Sequence, residues 1–164
     1  MANAHTFEMR PVKELLGRYI QPATVVVDPF ARDSQWAQFS NDEDPETTAN
    51  FHLDYEAFLL MLVAQEVRVD MVLLDPPYSP RQISEHYNRI KKRKAKMEDT
   101  QIARMRARAK DLLSCLLKPE GVAINFGWNS VGFGKKRGFA IEEIMLVAHG
   151  AGHNDTIVTV ERKL

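Results

Sequence analysis

Apolar residues cluster in short continuous runs that are rich in β-branched side chains. Three of these runs predict strands that are buried on both faces: Thr24 to Asp28, Val69 to Leu74 and Val122 to Phe126. Two later runs, Ile141 to Ala148 and Thr156 to Glu161, are joined by a glycine-containing turn and predict an antiparallel hairpin. A weaker candidate for a strand lies at residues 38–40.

Between these runs, apolar residues recur at helical spacing. The spacing predicts helices from Pro11 to Ile20, from Tyr55 to Glu66 and over Arg81 to Lys118, where two helices are separated near residues 97–100. Strands that alternate with helices and end in a hairpin indicate an α/β fold. We expect a mainly parallel sheet with a C-terminal antiparallel hairpin strand and with helices on both faces.

The length of 164 residues, 45% of them hydrophobic, predicts a single domain over residues 1–164. A single cysteine, Cys115, excludes an internal disulfide, and its place in an apolar helical stripe predicts that it is buried. The N-terminal residues lack the pattern of a secretory signal, and no apolar run approaches the ~20 residues of a membrane helix. We therefore expect a soluble, cytoplasmic protein without a membrane partner.

The net charge is zero, with 22 basic and 22 acidic residues, but the charges are segregated. The segment from Arg89 to Lys110 carries ten basic and two acidic side chains, a local net charge of +8 that leaves −8 for the rest of the chain. Such asymmetry indicates a polyanionic partner, and a solvated helix face is the alternative. The basic helical segment at about residues 81–110 gains significance if a nucleic-acid site lies beside it.

The strand from Val69 to Leu74 is followed by the tetrapeptide Asp75-Pro76-Pro77-Tyr78. Two successive prolines end the strand, so this segment leaves the sheet at a carboxyl end, where ligands bind in parallel sheets. A strand-ending turn with an incidental tyrosine is the alternative. In its position after a buried strand, the tetrapeptide resembles the catalytic segment of the S-adenosylmethionine-dependent amino-methyltransferases, chiefly those that act on adenine N6 in DNA.

This resemblance implies a Rossmann-like methyltransferase fold and assigns Asp75, Pro76, Pro77 and Tyr78 to catalysis. An adenine amino group is a poor nucleophile because its lone pair is delocalised into the ring. The Asp75 carboxylate and the Pro76 carbonyl, by accepting both N–H bonds, favour a tetrahedral nitrogen whose lone pair attacks the sulfonium methyl in line. The Tyr78 ring offers a stacking platform for a flipped-out base.

Other segments match the same family and imply S-adenosylmethionine as cofactor. Asp28-Pro29-Phe30 is similar to the Asp-Pro-Phe segment after the first strand, and Phe7 belongs to a leading segment that lines the methionine end of the cofactor. Asp42 is similar to the residue that binds the ribose hydroxyls, and Asp54 to the one that reads the adenine of the cofactor. The strand within Gly121 to Trp128 is similar to one that closes the target-base pocket.

Two departures from the family pattern stand out. The family has glycines after Asp-Pro-Phe, which let the backbone approach the methionine moiety, whereas this chain has Arg32-Asp33-Ser34. We expect Arg32 to pair with the methionine carboxylate, or the cofactor site to be differently shaped. The chain also has no room for a separate target-recognition region beyond its basic segment.

The resemblance implies DNA as the partner, with RNA not excluded, and a homodimer is left open. Alternatives are transfer to cytosine N4, to RNA or to a protein amide, and a nucleic-acid-binding regulator that has lost turnover. We assign phosphate contacts to basic side chains on the predicted helices: Lys91, Lys92, Arg93, Lys94, Arg104 and Arg108.

Two weaker patterns do not change this interpretation. His149 and His153 flank the hairpin turn, and because they lie in a turn between strands we expect no metal there. The glycine-rich stretch from Gly127 to Gly138 is interpreted either as a mobile rim of the pocket or as a plain connector.

Overall fold

A computed structural model describes residues 6–76, 102–148 and 155–164 of the protein. These residues form one six-stranded sheet, with its strands in the spatial order β2-β1-β3-β4-β6-β5. The strands are β1 (Val26–Asp28), β2 (Phe39–Ser40), β3 (Val69–Leu74), β4 (Leu117–Gly127), β5 (Phe139–Val147) and β6 (Thr156–Lys163).

Strands β1 to β4 run parallel to one another, whereas β6 is antiparallel to both of its neighbours. The α/β fold with a mainly parallel sheet and an antiparallel C-terminal strand is thereby confirmed. The parallel strands all end at one edge of the sheet, because Leu74 of β3 lies beside Asn125 of β4. The start of β6 lies at the same edge, where Ile157 pairs with Gly127.

Three helices cover the sheet: α1 (Arg10–Tyr19), α2 (Tyr55–Ala64) and α3 (Ile102–Leu116). Helix α1 has Pro11 in its first turn, where the missing N–H costs nothing, and buries Val12, Leu15 and Leu16. Helix α2 begins at the N-cap residue Asp54. Among the described residues, no helix is long and apolar enough to span a membrane.

Two apolar layers lie on opposite faces of the sheet, because successive strand residues point to opposite sides. One layer packs Val72 and Ala123 against α2 and α3, and the other packs Leu73 and Ile124 against α1. Helices on both faces are therefore confirmed. The prediction of a single domain over residues 1–164 stays a prediction.

Three details differ from the sequence-based expectations. Strand β4 already begins at Leu117 and includes the predicted turn Pro119-Glu120-Gly121, where Glu120 has a left-handed φ of 60°. The pairing of β3 with β4 shifts register there. Cys115 is exposed rather than buried, because the buried stripe of α3 runs through Ala109, Leu112, Leu113 and Leu116 and leaves Cys115 beside it.

Candidate active site

Asp28, the last residue of β1, is a fully buried carboxyl at the carboxyl edge of the sheet. Its Oδ1 accepts a hydrogen bond from the Phe30 N–H at 3.0 Å, while its buried Oδ2 has no partner among the described residues. Burial raises the pKa of Asp28 to about 8; Asp75 and Asp42 also raise it, and the Phe30 N–H opposes the rise. Of the four carboxyls that the sequence assigned to the site, Asp42 and Asp75 therefore lie close enough to Asp28 to affect its ionisation.

Asp42 and Asp75 follow the ends of β2 and β3. Asp42 is buried; its Oδ1 accepts from the Asp44 N–H at 2.9 Å, and its backbone N–H donates to the Phe51 carbonyl at 3.1 Å. Asp75 is half-buried and Pro76 is buried. Pro77 and Tyr78 lie outside the described residues. Strand ends thus bring together Asp28, Asp42 and Asp75, three of the four acidic members of the predicted site.

Asn41, which no sequence pattern singled out, is a buried residue that links the loops around the site by hydrogen bonds. Its Nδ2 donates to the carbonyls of Pro29, at 3.2 Å, and Leu53, at 3.0 Å, and its Oδ1 accepts from the Leu53 N–H at 3.0 Å. Its backbone carbonyl accepts from the Ala31 N–H at 2.8 Å. The loop after β1 and the segment before α2 are therefore held by one side chain.

Arg32 lies in the loop after β1, at the position where the resembled family has glycines. Its φ is 51°, a left-handed conformation that glycine adopts more easily than arginine. Its Nε and the nearby Ser34 Oγ are buried and have no partners in the part of the chain that the structure describes. The backbone thus keeps a conformation that favours glycine, although the side chain is an arginine.

Two aromatic pairs lie near the carboxyl edge of the sheet. Phe7 packs edge-on against Phe126 of β4, with ring centroids 5.2 Å apart, which places the N-terminal segment beside the end of β4. Phe30 stacks on Tyr55 at the start of α2, with centroids 5.5 Å apart. Pro29, between Asp28 and Phe30, takes part through its carbonyl, which Asn41 binds.

Asp54 caps helix α2, a structural role that is separate from its predicted contact with the adenine of the cofactor. It is exposed, and its Oδ1 accepts from the N–H groups of Glu56 and Ala57 at 3.0 and 3.3 Å. Both bonds use one oxygen, and within the described part of the chain Oδ2 accepts none. The assignment of Asp54 to the cofactor adenine stays a prediction.

A second residue that the sequence patterns did not single out is Asn125, next to Leu74 in the sheet. Its side chain is buried, and its Oδ1 has no partner within residues 6–76, 102–148 and 155–164. The end of β4 is also reached from α3, where Arg106 Nη2 donates to the Phe126 carbonyl at 3.1 Å. A polar residue within the apolar run Val122 to Phe126 was a visible signal of this site.

The connection from β4 to β5, residues 128–138, is not a mobile rim along its whole length. The two strands run in the same direction, so the connection crosses from the carboxyl edge of the sheet to the opposite edge. Buried Glu161 of β6 accepts from the N–H groups of Phe133, at 2.5 Å, and Gly134, at 2.9 Å. Lys110 of α3 donates to the Gly132 carbonyl. Only residues 128–131 lie between the site and these anchors.

Gly132 is required at this anchor for a steric reason. Its φ is +56°, and a Cβ there would lie 2.0 Å from Glu161 Oε2.

Burial and Arg106 lower the pKa of Lys110 to about 8, while Glu161 opposes this decrease. The connector interpretation therefore describes the part of this stretch from Gly132 onward.

Among the predicted phosphate contacts, Arg104 and Arg108 lie on α3 and are exposed. Arg108 is engaged in an ion pair, with its Nε 2.7 Å from Glu56 Oε1. Residues Lys91, Lys92, Arg93 and Lys94 lie outside the described residues, as do His149 and His153. Across residues 6–76, 102–148 and 155–164, no three side chains that could ligate a metal are grouped together.

No protein-family model and no curated protein sequence matches the chain. Several solved structures share its fold. SMU.776, regarded as a methyltransferase and complexed with SAH, has a TM-score of 0.67 at 12% identity, over 95% of this chain and 49% of that chain. TrmN from Thermus thermophilus has a TM-score of 0.57 at 18% identity, over 93% of this chain and 48% of that chain.

The N-methyltransferase NodS from Bradyrhizobium japonicum has a TM-score of 0.55 at 10% identity, and the match covers 98% of each chain. This chain therefore spans about half the length of SMU.776 and TrmN and nearly the whole length of NodS. At these identities the likeness concerns architecture. The strand order, the helices on both faces and these neighbours together show that the chain has the Rossmann-like α/β fold of methyltransferases.

Proposed function

We propose that the protein transfers a methyl group from S-adenosylmethionine to the exocyclic N6 amine of adenine in DNA. The observation that carries this proposal is the position of Asp75-Pro76 at the carboxyl end of β3, near the buried carboxyl of Asp28. A carboxylate at this edge is placed to act on a ligand that binds beyond the strands. The resemblance of the tetrapeptide Asp75 to Tyr78 to the catalytic segment of amino-methyltransferases supports an amine as the acceptor.

Asp75 and Pro76 would orient the acceptor amine and take no part in a covalent intermediate. The Asp75 carboxylate accepts one N–H of the amine and the Pro76 carbonyl accepts the other, which localises the nitrogen lone pair. A buried proline holds its carbonyl in a fixed position, so the amine is oriented before reaction. Tyr78 would stack on the extruded base.

The loops around Asp28 fit S-adenosylmethionine, which supplies an electrophilic sulfonium methyl group when bound. Buried polar atoms without partners lie there: Asp28 Oδ2, Arg32 Nε and Ser34 Oγ. Asp42 would bind the ribose hydroxyls, Asp54 the adenine, and Phe7, Pro29 and Phe30 the apolar sides. The bound SAH of SMU.776 and the N-methyltransferase activity in the name of NodS support this assignment.

A second candidate is a nucleic-acid-binding regulator that keeps the fold without turnover. The arginine at a left-handed φ in place of glycine favours it, because a changed cofactor loop could bind without supporting transfer. Transfer to cytosine N4, RNA or a protein amide uses the same arrangement of a carboxylate and a carbonyl. The acceptor therefore has to be identified by product analysis.

The test is a transfer assay with methyl-labelled S-adenosylmethionine and three acceptors: unmethylated duplex DNA, single-stranded RNA and protein. Nucleosides from digested DNA are separated, and we expect the label in N6-methyladenine. Asp75→Ala should abolish transfer and leave SAH binding nearly unchanged by calorimetry. Asp111→Ala, which removes an exposed carboxylate of α3, is the matched control and should transfer normally.

Each other result has a defined meaning. Near-normal turnover by Asp75→Ala would contradict the mechanism. Label in N4-methylcytosine, RNA or protein would replace adenine N6 as the acceptor. Binding of SAH without any transfer would select the regulator, and failure of the wild-type protein to bind SAH would overturn the assignment of the cofactor.

A further inference from the structure

Buried side-chain atoms without hydrogen-bond partners are concentrated in one loop. Of the four such atoms among the described residues, three lie between residues 28 and 34: Asp28 Oδ2, Arg32 Nε and Ser34 Oγ. Buried polar groups in folded proteins nearly always have partners. Three unpartnered atoms within seven residues therefore indicate a polar ligand that this loop binds.

The loop is held in place by bonds that do not involve these three atoms. The Ser34 N–H donates to the Ala31 carbonyl at 2.9 Å, and the Thr48 N–H donates to Asp33 Oδ1 at 3.0 Å. Arg32 sits between these bonds at a φ of 51°. A non-glycine residue in this region is strained, and such strain persists where the surrounding structure enforces it and is common at ligand sites.

Arg32 also has no partner for its charge within the described residues, since neither a hydrogen bond nor an ion pair involves its guanidinium there. Within the described residues, Asp28 Oδ1 accepts from the Phe30 N–H and Oδ2 accepts from no group, so no hydrogen bond joins Arg32 to Asp28. The loop thus presents two groups that are not paired with each other: the Arg32 guanidinium, which can bind an anion, and the Asp28 carboxyl. An α-amino acid, with its carboxylate and its ammonium group, is the complementary ligand.

We propose that Arg32 binds the α-carboxylate at the methionine end of the cofactor, with the Ser34 hydroxyl as a second donor. This inference rests on the proposed function and adds the group that Arg32 recognises. A guanidinium presents two parallel N–H groups to a carboxylate, which a lysine cannot reproduce. In this chain the Arg32 side chain binds the carboxylate, which in a glycine-rich loop the backbone N–H groups could bind instead.

The test is calorimetric and compares two ligands that differ only in the carboxylate. SAH carries it, and S-adenosyl-3-thiopropylamine, the decarboxylated counterpart, lacks it. The wild-type protein should bind SAH about 10- to 100-fold more tightly, the range expected for a charge-assisted pair. In Arg32→Gln, SAH should bind as weakly as the decarboxylated ligand, whose own affinity should change by less than about twofold.

Two further variants separate recognition from folding. Arg32→Gly suits the left-handed backbone and should unfold at no lower temperature than wild type, yet lose SAH affinity as Arg32→Gln does. The affinity of Arg32→Lys for SAH should lie between that of these variants and that of wild type. Arg68→Gln is the control: Arg68 is exposed in the turn between α2 and β3, at the opposite edge of the sheet, and its loss should leave both affinities unchanged.

The possible failures are distinguishable. If Arg32→Gln weakens both ligands equally, or neither, this inference is overturned while the cofactor assignment stands. If the wild-type protein binds both ligands with equal affinity, the carboxylate is not recognised and the inference is again overturned. If it binds neither, the cofactor assignment fails and the inference fails with it.

Discussion

The side chain of Asn41 and the backbone of Leu53 form a reciprocal pair of hydrogen bonds. Asn41 Nδ2 donates to the Leu53 carbonyl at 3.0 Å, and Asn41 Oδ1 accepts from the Leu53 N–H at 3.0 Å. The amide group thus satisfies both polar groups of one residue, as a neighbouring strand would do. It joins the end of β2 to the segment that leads into Asp54 and α2.

Asn41→Ala should destabilise the fold by about 2–4 kcal/mol, because the three hydrogen bonds of this buried side chain are lost and the backbone groups of Pro29 and Leu53 lose their partner. Urea unfolding would measure this. Asn50→Ala is the control, since Asn50 is exposed and its side chain makes one hydrogen bond, to the Gln38 carbonyl at 2.9 Å. A cost for Asn41→Ala no larger than that of the control would contradict the role assigned to Asn41.

The raised pKa of Asp28 predicts a pH-dependent stability. Because its pKa is about 8 in the folded protein and near 4 when unfolded, the folded state binds more protons between these values. Stability should therefore fall as the pH rises from about 4 to 8, by up to ~1 kcal/mol per pH unit. Asp28→Asn, which can still accept from the Phe30 N–H, should remove this loss, and its stability gain over wild type should grow with pH.

Asp70 is a control for this prediction, because its contribution to stability should change with pH in the direction opposite to that of Asp28. Hydrogen bonds from Lys118 and from the Val25 N–H lower the pKa of Asp70. Its ionised form therefore stabilises the folded protein above the unfolded pKa, and this contribution is lost as the pH falls through the folded value. Asp70→Asn should cost stability at pH 7 and little in acid. Parallel pH profiles for the two variants would contradict both assignments.

Glu161→Ala should cost about 3–5 kcal/mol, since it leaves the N–H groups of Phe133 and Gly134 without an acceptor and removes a buried charge that favours ionised Lys110. Glu161→Gln should cost less, because its amide oxygen can still accept. Thermal unfolding measures both. Glu142→Gln, which breaks an ion pair with Arg162 at the surface, should cost at most about 1 kcal/mol. Equal effects at positions 161 and 142 would exclude the anchoring role.

The basic segment predicts salt-dependent DNA binding. Replacing Lys91, Lys92, Arg93 and Lys94 with Gln should flatten the logarithmic salt dependence by up to roughly 3–4 units, uniformly across DNA sequences. Fluorescence anisotropy at several salt concentrations measures the slope. Identical slopes for variant and wild type would mean that these side chains form a solvated helix face.

Two arginines of α3 sharpen this test. Arg104→Gln should reduce the slope by up to about one unit. Arg108→Gln should reduce it less, because Arg108 is already paired with Glu56. A larger effect at Arg108 than at Arg104 would show that DNA displaces Glu56 from this pair.

Local patterns predicted most of the fold because each strand and helix carries its own periodicity. The runs Val69 to Leu74 and Thr156 to Glu161 became strands β3 and β6 with nearly the expected bounds. The ends of the apolar runs located the strand ends at Asp28, Asp75 and Gly127, and the family resemblance supplied the roles of residues in the loops between them. These features depend on neighbours within a few positions, which a sequence displays directly.

The sequence did not reveal the contacts that link distant segments. Asn41 follows Ser40 and precedes Asp42, and nothing in that order indicates hydrogen bonds to Pro29 and Leu53. Glu161 could not have been found as a buried anchor, because the alternation in Thr156 to Glu161 places it with Thr159 on the face opposite the apolar Val158 and Val160, which the sequence marks as polar. Its partners in the β4–β5 connection could not be found either, since they depend on how that connection crosses the sheet.

The anchoring of the β4–β5 connection by Glu161 has a consequence for the order in which the chain folds during synthesis. Phe133 precedes its acceptor by 28 residues. At 5–20 residues per second, the ribosome adds Glu161 about 1 to 6 s after Phe133. Until then the connection has no carboxylate to bind and β4 has no partner on its outer side. The wall of the site beside Trp128 can therefore form only after β6 has emerged and paired.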